Sequence, residues 1–504
     1  MDNFCDNIKR YYKEHYIFIT LLVSTFFLGL SCYWFPFIFV AILVFCPYVF
    51  FSKIEEDFYV LIYSLLFATC TAFFFPMVAI VGISVLIKLI IDAVKGNIKF
   101  YKRTFFITLG ICIFFSLINY GYTFKGFFQG SIYFLMPFII FIIFTYRKKI
   151  NVQECFKFLF IGIISSLVLS MIINFIPGGL IFNYFQGNYG FKKVSDVIFL
   201  QDGPYHRLIL LSFSHNQLGD YCIYYLTFAV YMLVNTRYED NKLQYLFIII
   251  SFVIALVIGM YTLSKSFFIL AILVFIYGFF IAIYNIKNKN HLIMFCAFAT
   301  AFVIFLILGF FRLNIFDRFL NPNDASNKLF SNLVTGRNEI WRKYLDDIIS
   351  TPLKIVFGSG IFAKDVVDIG PHNMYLGIFY RFGLLGIFAF GALAISYAFD
   401  SGIPFKTSFK QIIKKALPFV IFAIQSLSEA NVDERFLFLL FAIMLLFGNY
   451  PVFKDGKNIY DIDIFKHTKK DNKKLEINGE IEKETIEISE NLEQAKDTNS
   501  LEEN

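Results

Sequence analysis

Apolar stretches of roughly membrane-spanning length recur along this chain from Tyr16 to Phe447. No other feature constrains the fold as strongly. A backbone inside lipid finds no water, so its N–H and C=O groups must bond to one another. The stretches are continuous and lack the alternation of a membrane barrel, so they read as helices. Composition excludes a soluble arrangement: hydrophobic residues make up 58% and charged residues 16%, too apolar for a water-facing surface. The expected fold class is all-α, a polytopic integral membrane bundle of about 12–14 transmembrane helices.

The spans fall near 16–31, 33–51, 58–75, 77–94, 104–120, 131–146, 155–176, 215–234, 243–262, 266–285, 291–311, 373–399, 412–428 and 435–449. Two apolar blocks have to be cut in two, at Gly29-Leu30-Ser31 and near Pro76. Positive charge sets the orientation. With a cytoplasmic N-terminus, the inner loops hold Lys9, Arg10 and Lys13; Lys95, Lys99, Lys102 and Arg103; Arg147, Lys148 and Lys149; Arg237 and Lys242; Lys287 and Lys289; and Lys406, Lys410, Lys414 and Lys415. Short outer loops hold little beyond Lys125 and Lys265. Both termini are then cytoplasmic. Inner-loop lysines account for the net charge of +7, and no nucleic-acid partner is needed to explain it.

The expected organisation is a transmembrane bundle over 1–449 with two long outward loops, 177–214 and 312–372, and a polar cytoplasmic tail, 450–504. In a compact bundle long loops usually carry function. The tail is rich in Lys, Glu, Asp and Asn and is expected to be disordered or loosely helical. Its Asp461-Ile462-Asp463 fits a metal-holding DxD pattern, but no nucleotide-binding domain surrounds it. No small-residue cleavage site follows the first span, so no cleavable signal peptide is expected. The eight cysteines are scattered with no CxxC spacing, so neither disulfides nor a metal site is expected.

The second loop contains Thr335-Gly336-Arg337-Asn338-Glu339-Ile340-Trp341. From Arg337 to Ile349 the spacing predicts a short amphipathic helix, with Ile340, Trp341, Tyr344, Leu345, Ile348 and Ile349 on one face. It is too short and charged to span, and suits the membrane interface with Trp341 and Tyr344 at headgroup depth. Thr335 would cap it and Thr351-Pro352 would stop it. Phe357-Gly358-Ser359-Gly360 reads as a flexible turn. Then comes Pro371-His372-Asn373, followed after nine residues by Gly383-Leu384-Leu385-Gly386. On a regular helix from His372, Leu376, Phe379, Gly383 and Gly386 fall within about 40° of the His372 face. Glycines there would let another helix or a lipid tail approach. Arg381 would lie on about the opposite face and, as an embedded cation, wants a partner.

The first loop ends with Arg207 and then His215-Asn216-Gln217-Leu218-Gly219. Between two later spans lies Thr262-Leu263-Ser264-Lys265-Ser266, a tight outward turn. Arg207, Lys265, Arg337 and His372 thus share the outer level. Arginine and lysine there can bind phosphate, and histidine can take a proton from a hydroxyl. That set is sufficient for glycosyl transfer from a lipid diphosphate without a metal or other cofactor. Plainer readings stand beside it. The basic residues also suit lipid headgroups, Asn373 suits a helix cap, Trp341 suits an interfacial anchor, and His215 suits a structural or substrate-orienting role better than that of the base.

Taken together, the segments resemble the superfamily of O-antigen and capsular polysaccharide polymerases and O-antigen ligases. The strongest match is Gly336-Arg337 with Trp341, then Pro352, Gly358 and Gly360, then His372-Asn373-x9-Gly383-x2-Gly386. Arg207, His215-Asn216, Gly219 and Ser264-Lys265-Ser266 match more weakly; the family often has Ser-Arg at the last, and Lys265 loses the bidentate geometry. The motif-bearing matches cover roughly 207–270 and 335–390, and the first six spans match in hydropathy alone. The resemblance implies a membrane glycosyltransferase of the bacterial cytoplasmic membrane. It would take glycan repeat units on undecaprenyl diphosphate, with Arg207, Arg337 and Lys265 holding the diphosphate and His372 activating the acceptor hydroxyl. Asn373, Gly383, Gly386, Trp341, His215 and Asn216 would support the site. Implied partners are the lipid-linked donor, an acceptor glycan, membrane lipids, a chain-length regulator and a flippase. A polymerase and a ligase share these motifs and differ in acceptor. A third possibility is a transporter of lipid-linked oligosaccharide, which would carry its charges along a central path rather than outside; embedded charges here are few, namely Arg381 and a Lys88–Asp92 pair.

Overall fold

The structure is a computed structural model. Apart from single positions inside a few helices, it describes residues 16–27, 36–64, 71–98, 101–118, 141–146, 149–175, 199–202, 205–209, 215–235, 242–284, 289–313, 337–360, 371–401 and 417–427. Contacts divide the chain into two units, Met1–Ile459 and Tyr460–Asn504. The second unit lies outside the described residues, and so do Gly29-Leu30-Ser31, Thr335, the expected span 435–449 and the tail with its DxD.

The described chain is almost entirely helical. In order come α1 (Phe37–Phe51), α2 (Ile54–Ser64), α3 (Thr71–Val94), α4 (Lys102–Ile118) and α5 (Val152–Phe175). A two-stranded hairpin follows, β1 (Phe199–Asp202) and β2 (Tyr205–Leu208), then α6 (His215–Asn235), α7 (Lys242–Tyr261), α8 (Lys265–Tyr284) and α9 (Lys289–Ile307). The last three are α10 (Arg337–Ile349), α11 (Pro352–Phe357) and α12 (Met374–Ser401). Five described helices are long and apolar enough to cross a membrane, through Glu154–Met171, Lys242–Tyr261, Lys265–Ile283, Lys289–Phe311 and Met374–Tyr397.

Why these segments sit in lipid is visible in α8. Ile269, Ile272, Ile276, Phe280 and Ile283 are exposed, and their three- and four-residue spacing puts them on one stripe. The opposite stripe, with Phe267, Ala271, Val274 and Phe275, is buried. Against it Phe252 of α7 meets Phe275 with ring centroids 5.9 Å apart, and Phe302 of α9 meets Phe275 at 5.3 Å. Edge-on ring pairs of this kind favour fixed packing over loose contact. Phenylalanines thus carry part of the α7–α8–α9 packing.

Three expectations change. The cut near Pro76 is not made: the expected spans 58–75 and 77–94 become α2 and α3, and α3 runs through Pro76. Proline is tolerated in helices inside lipid because surrounding groups can compensate the missing N–H. The embedded pair is not Lys88–Asp92. Lys88 Nζ lies 2.7 Å from Asp57 Oδ2, whose side chain is fully buried and also accepts from Ser52 and Ser84. Asp92 instead accepts from the Tyr146 hydroxyl at 3.0 Å. Spacing within one helix could not reveal a partner that α2 supplies. Finally, the loop expected over 177–214 contains a β-hairpin, pairing Leu200 with Arg207 and Gln201 with His206.

Candidate functional site

The hairpin carries Arg207 onto the bundle, β2 packing against α6 and α7. Leu208 and Ile209 beside it are buried, and Arg207 itself is 6% exposed. One of its guanidinium nitrogens donates to the carbonyl of Leu263 at 3.1 Å. Leu263 occupies the left-handed region (φ 50°) in the turn between α7 and α8. A bulky side chain there costs about 1–3 kcal/mol, and the conformation turns its carbonyl toward Arg207. The same turn packs on α6. A Cβ placed on Gly219 would stand 3.1 Å from Ser264 Cβ and 3.1 Å from Thr262 Oγ1. Lys265 follows as the first residue of α8, half-buried, with the Ser264 and Ser266 hydroxyls 2.8 Å apart on either side of it in the chain. Arg207, Gly219 and the turn bearing Lys265 therefore form one packed corner. Asn216 is half-buried in the first turn of α6, which His215 opens.

The second corner is built by α10, α11 and α12. The helix over Arg337–Ile349 forms as its spacing predicts, and Pro352 starts a new one after the extended Thr351. Its apolar face is covered by protein. Tyr344 and Ile348 are fully buried against Leu376 and Tyr380 of α12, with the Tyr344 and Tyr380 rings perpendicular at 4.9 Å. Trp341 donates its indole N–H to the carbonyl of Pro371 at 2.8 Å. Amphipathic periodicity marks a face to be covered, and here protein covers it. Leu345 and Ile349 of α10, with Leu353, Val356 and Phe357 of α11, are left exposed. Arg337 opens α10 and is half-buried.

His372 does not stand on a regular helix with the two glycines. It precedes α12 in the left-handed region, φ 44°. Asn373 caps the helix: its Oδ1 accepts from the Leu376 N–H at 3.0 Å. The helix then breaks at Gly383, where φ is 64° and ψ −163°. The shared-face geometry expected for His372, Leu376, Phe379, Gly383 and Gly386 therefore fails at both ends, and with it the opposite-face position expected for Arg381. Nor is the Gly358 turn free. At a break, carbonyls one turn earlier lose their helical partners. Those of Tyr380 and Arg381 accept the N–H groups of Ser359 at 2.7 Å and Gly360 at 3.1 Å. A Cβ on Gly383 would stand 2.3 Å from the Val356 carbonyl oxygen, and one on Gly358 2.4 Å from that of Arg381. Gly358 and Gly383 permit backbone to lie on backbone. They do not open a seat for another spanning helix or a lipid tail. Gly386 is buried one turn further on.

A short segment links the corners. The Tyr224 hydroxyl of α6 donates to Gln425, and the next residue, Ser426, accepts the N–H of Met374 through its carbonyl at 2.8 Å. Tyr375 also donates to the Ala423 carbonyl at 3.2 Å. Sequence reasoning missed these anchors, along with Leu263 and the Pro371 carbonyl. Most are backbone acceptors, and a carbonyl carries no residue signature. Among the described residues, no group of three or more His, Cys, Asp or Glu side chains could hold a metal ion.

No protein-family model matches this chain, and no curated protein or solved structure matches it.

Proposed function

We propose that this protein is a glycosyltransferase of the bacterial cytoplasmic membrane that joins lipid-diphosphate-linked repeat units into an O-antigen or capsular polysaccharide. The reading takes the chain as about 12–14 transmembrane helices, both termini cytoplasmic, with loops 177–214 and 312–372 outside. The observation that carries it is the setting of His372. A histidine held in a left-handed backbone, between a buried proline and a capping asparagine, heads a spanning helix and is tied to a separate amphipathic helix. Unusual backbone conformations persist where surrounding structure holds them, and they cluster at functional sites.

In this reading the donor is a glycan on undecaprenyl diphosphate, and the acceptor is a sugar hydroxyl of another repeat unit. His372 takes the hydroxyl proton as the oxygen forms its bond to the anomeric carbon. The anomeric carbon–oxygen bond to phosphate breaks, and the electron pair leaves with the lipid diphosphate. Arg207, Lys265 and Arg337 offset its charge. The packed corner that joins Arg207 to the Lys265 turn supports grouping the first two cations. Asn373 and Gly383 support the site through the backbone, as cap and as break. No metal or other cofactor has a step in this scheme. A ligase would use the same groups and differ in its acceptor.

The test is a gel of surface and lipid-linked glycan from cells lacking the gene, re-supplied with wild type or His372→Ala at matched protein level. A polymerase predicts single repeat units on the final acceptor in the deletion and no ladder with His372→Ala. Full-length polymer on the lipid carrier would make the protein a ligase. A normal ladder with His372→Ala would remove His372 as the base.

A further inference from the structure

We infer that Trp341 is a positioning residue for His372, acting across the gap between two helices rather than as a membrane anchor or a sugar platform. The inference rests on the reading of His372 as the proton acceptor.

The backbone around His372 explains why such a residue is needed. A left-handed residue other than glycine relaxes to a commoner conformation unless its neighbours are held. On the C-terminal side two bonds hold it: the Asn373 side chain accepts from Leu376 at 3.0 Å, and the Met374 N–H donates to Ser426 at 2.8 Å. On the N-terminal side proline has no N–H to donate, so Pro371 offers its carbonyl. The indole N–H of Trp341 reaches it at 2.8 Å. This carbonyl belongs to the peptide whose nitrogen is that of His372. Its direction therefore fixes one side of the His372 backbone.

Trp341 can serve as a fixed point because α10 is itself fixed. Tyr344 and Ile348, one and two turns along the same face, are fully buried against Leu376 and Tyr380. Leu376 and Tyr380 lie on α12, the helix that His372 precedes. The clamp thus closes on itself. One end of α10 grips the helix, and Trp341 grips the loop leading into it. Pro371 and Asn373 are buried while His372 between them is half-buried, so His372 is the most accessible of the three. An indole committed through its N–H to buried backbone is placed to orient, since the tryptophan has one donor and that donor is used.

The experiment measures turnover in membrane vesicles, using lipid-linked glycan extracted from cells that lack the gene. Trp341→Phe keeps a ring in the pocket and removes the N–H. Loss of orientation predicts a kcat lower by roughly ten- to a hundredfold with KM nearly unchanged. Arg342→Ala, on the exposed side of the same helix, should match wild type. A cycle with His372→Asn, which tolerates the left-handed backbone, supplies the readout that lost stability alone would not move. If Trp341 acts through His372, Trp341→Phe costs nothing further in the His372→Asn background. An equal loss in both backgrounds, or wild-type kcat for Trp341→Phe beside an inactive His372→Asn, overturns this inference and leaves the proposed function standing. Wild-type turnover by His372→Asn overturns this inference and removes His372 as the base.

Discussion

His372 and Leu263 are the described non-glycine residues with positive φ, and each sits in one of the two corners of the candidate site. Strain at single residues is compensated by what surrounds them. The left-handed Leu263 presents a carbonyl to Arg207, and the left-handed His372 is held from both sides. Gly358 and Gly383 lie in a region that essentially only glycine occupies, with φ 77°, ψ −178° and φ 64°, ψ −163°. Gly383→Ala therefore combines backbone strain with a Cβ 2.3 Å from a carbonyl oxygen. We expect a loss of about 3 kcal/mol or more, read as a clear fall in melting temperature in detergent and in membrane-inserted protein. Wild-type stability for this variant would mean that α12 does not break there. Both glycines were visible in the sequence as motif positions. Their reason was not, because it depends on backbone contacts between segments 25 positions apart in the chain.

At the scale of elements, α10 shows how periodicity informs and where it stops. Its bounds, Arg337–Ile349, and its apolar face follow from spacing, proline placement and charge. The surface covering that face did not follow, since lipid and a neighbouring helix look alike to an apolar side chain. Two substitutions on α10 should differ sharply. Tyr344→Ala opens a cavity against Tyr380 and Leu376 and should cost about 3–5 kcal/mol. Asp347→Asn loosens a bond to Lys354 Nζ at 2.8 Å between groups about 30% exposed, a pair worth at most about 1 kcal/mol. Melting curves of both in one detergent check this. Equal effects would mean that α10 does not depend on its packing against α12. The link from Tyr224 through Gln425 and Ser426 to Met374 belongs to the same scale, joining α6 and α12 through a segment that no local pattern relates to either.

At the scale of the molecule, orientation is the property most open to direct test. Asn338 is exposed on α10 and Lys95 is exposed just beyond α3. With the loop 312–372 outside, Asn338→Cys should react with an impermeant maleimide on intact cells, above the level of the parent chain. Lys95→Cys should react only after permeabilisation. The reverse pattern would turn the molecule over and place Arg337 and His372 on the cytoplasmic side. Hydropathy was enough to show a helical membrane protein, since lipid imposes one rule on every backbone and that rule leaves long apolar runs. It placed α5, α7, α8 and α9 within a few residues. It could not pair Lys88 with Asp57, cover Tyr344, turn His372 out of its helix or set Gly358 against Gly383. Those features depend on groups brought together from distant parts of the chain, many of them backbone atoms that every residue shares. Only packing selects among them.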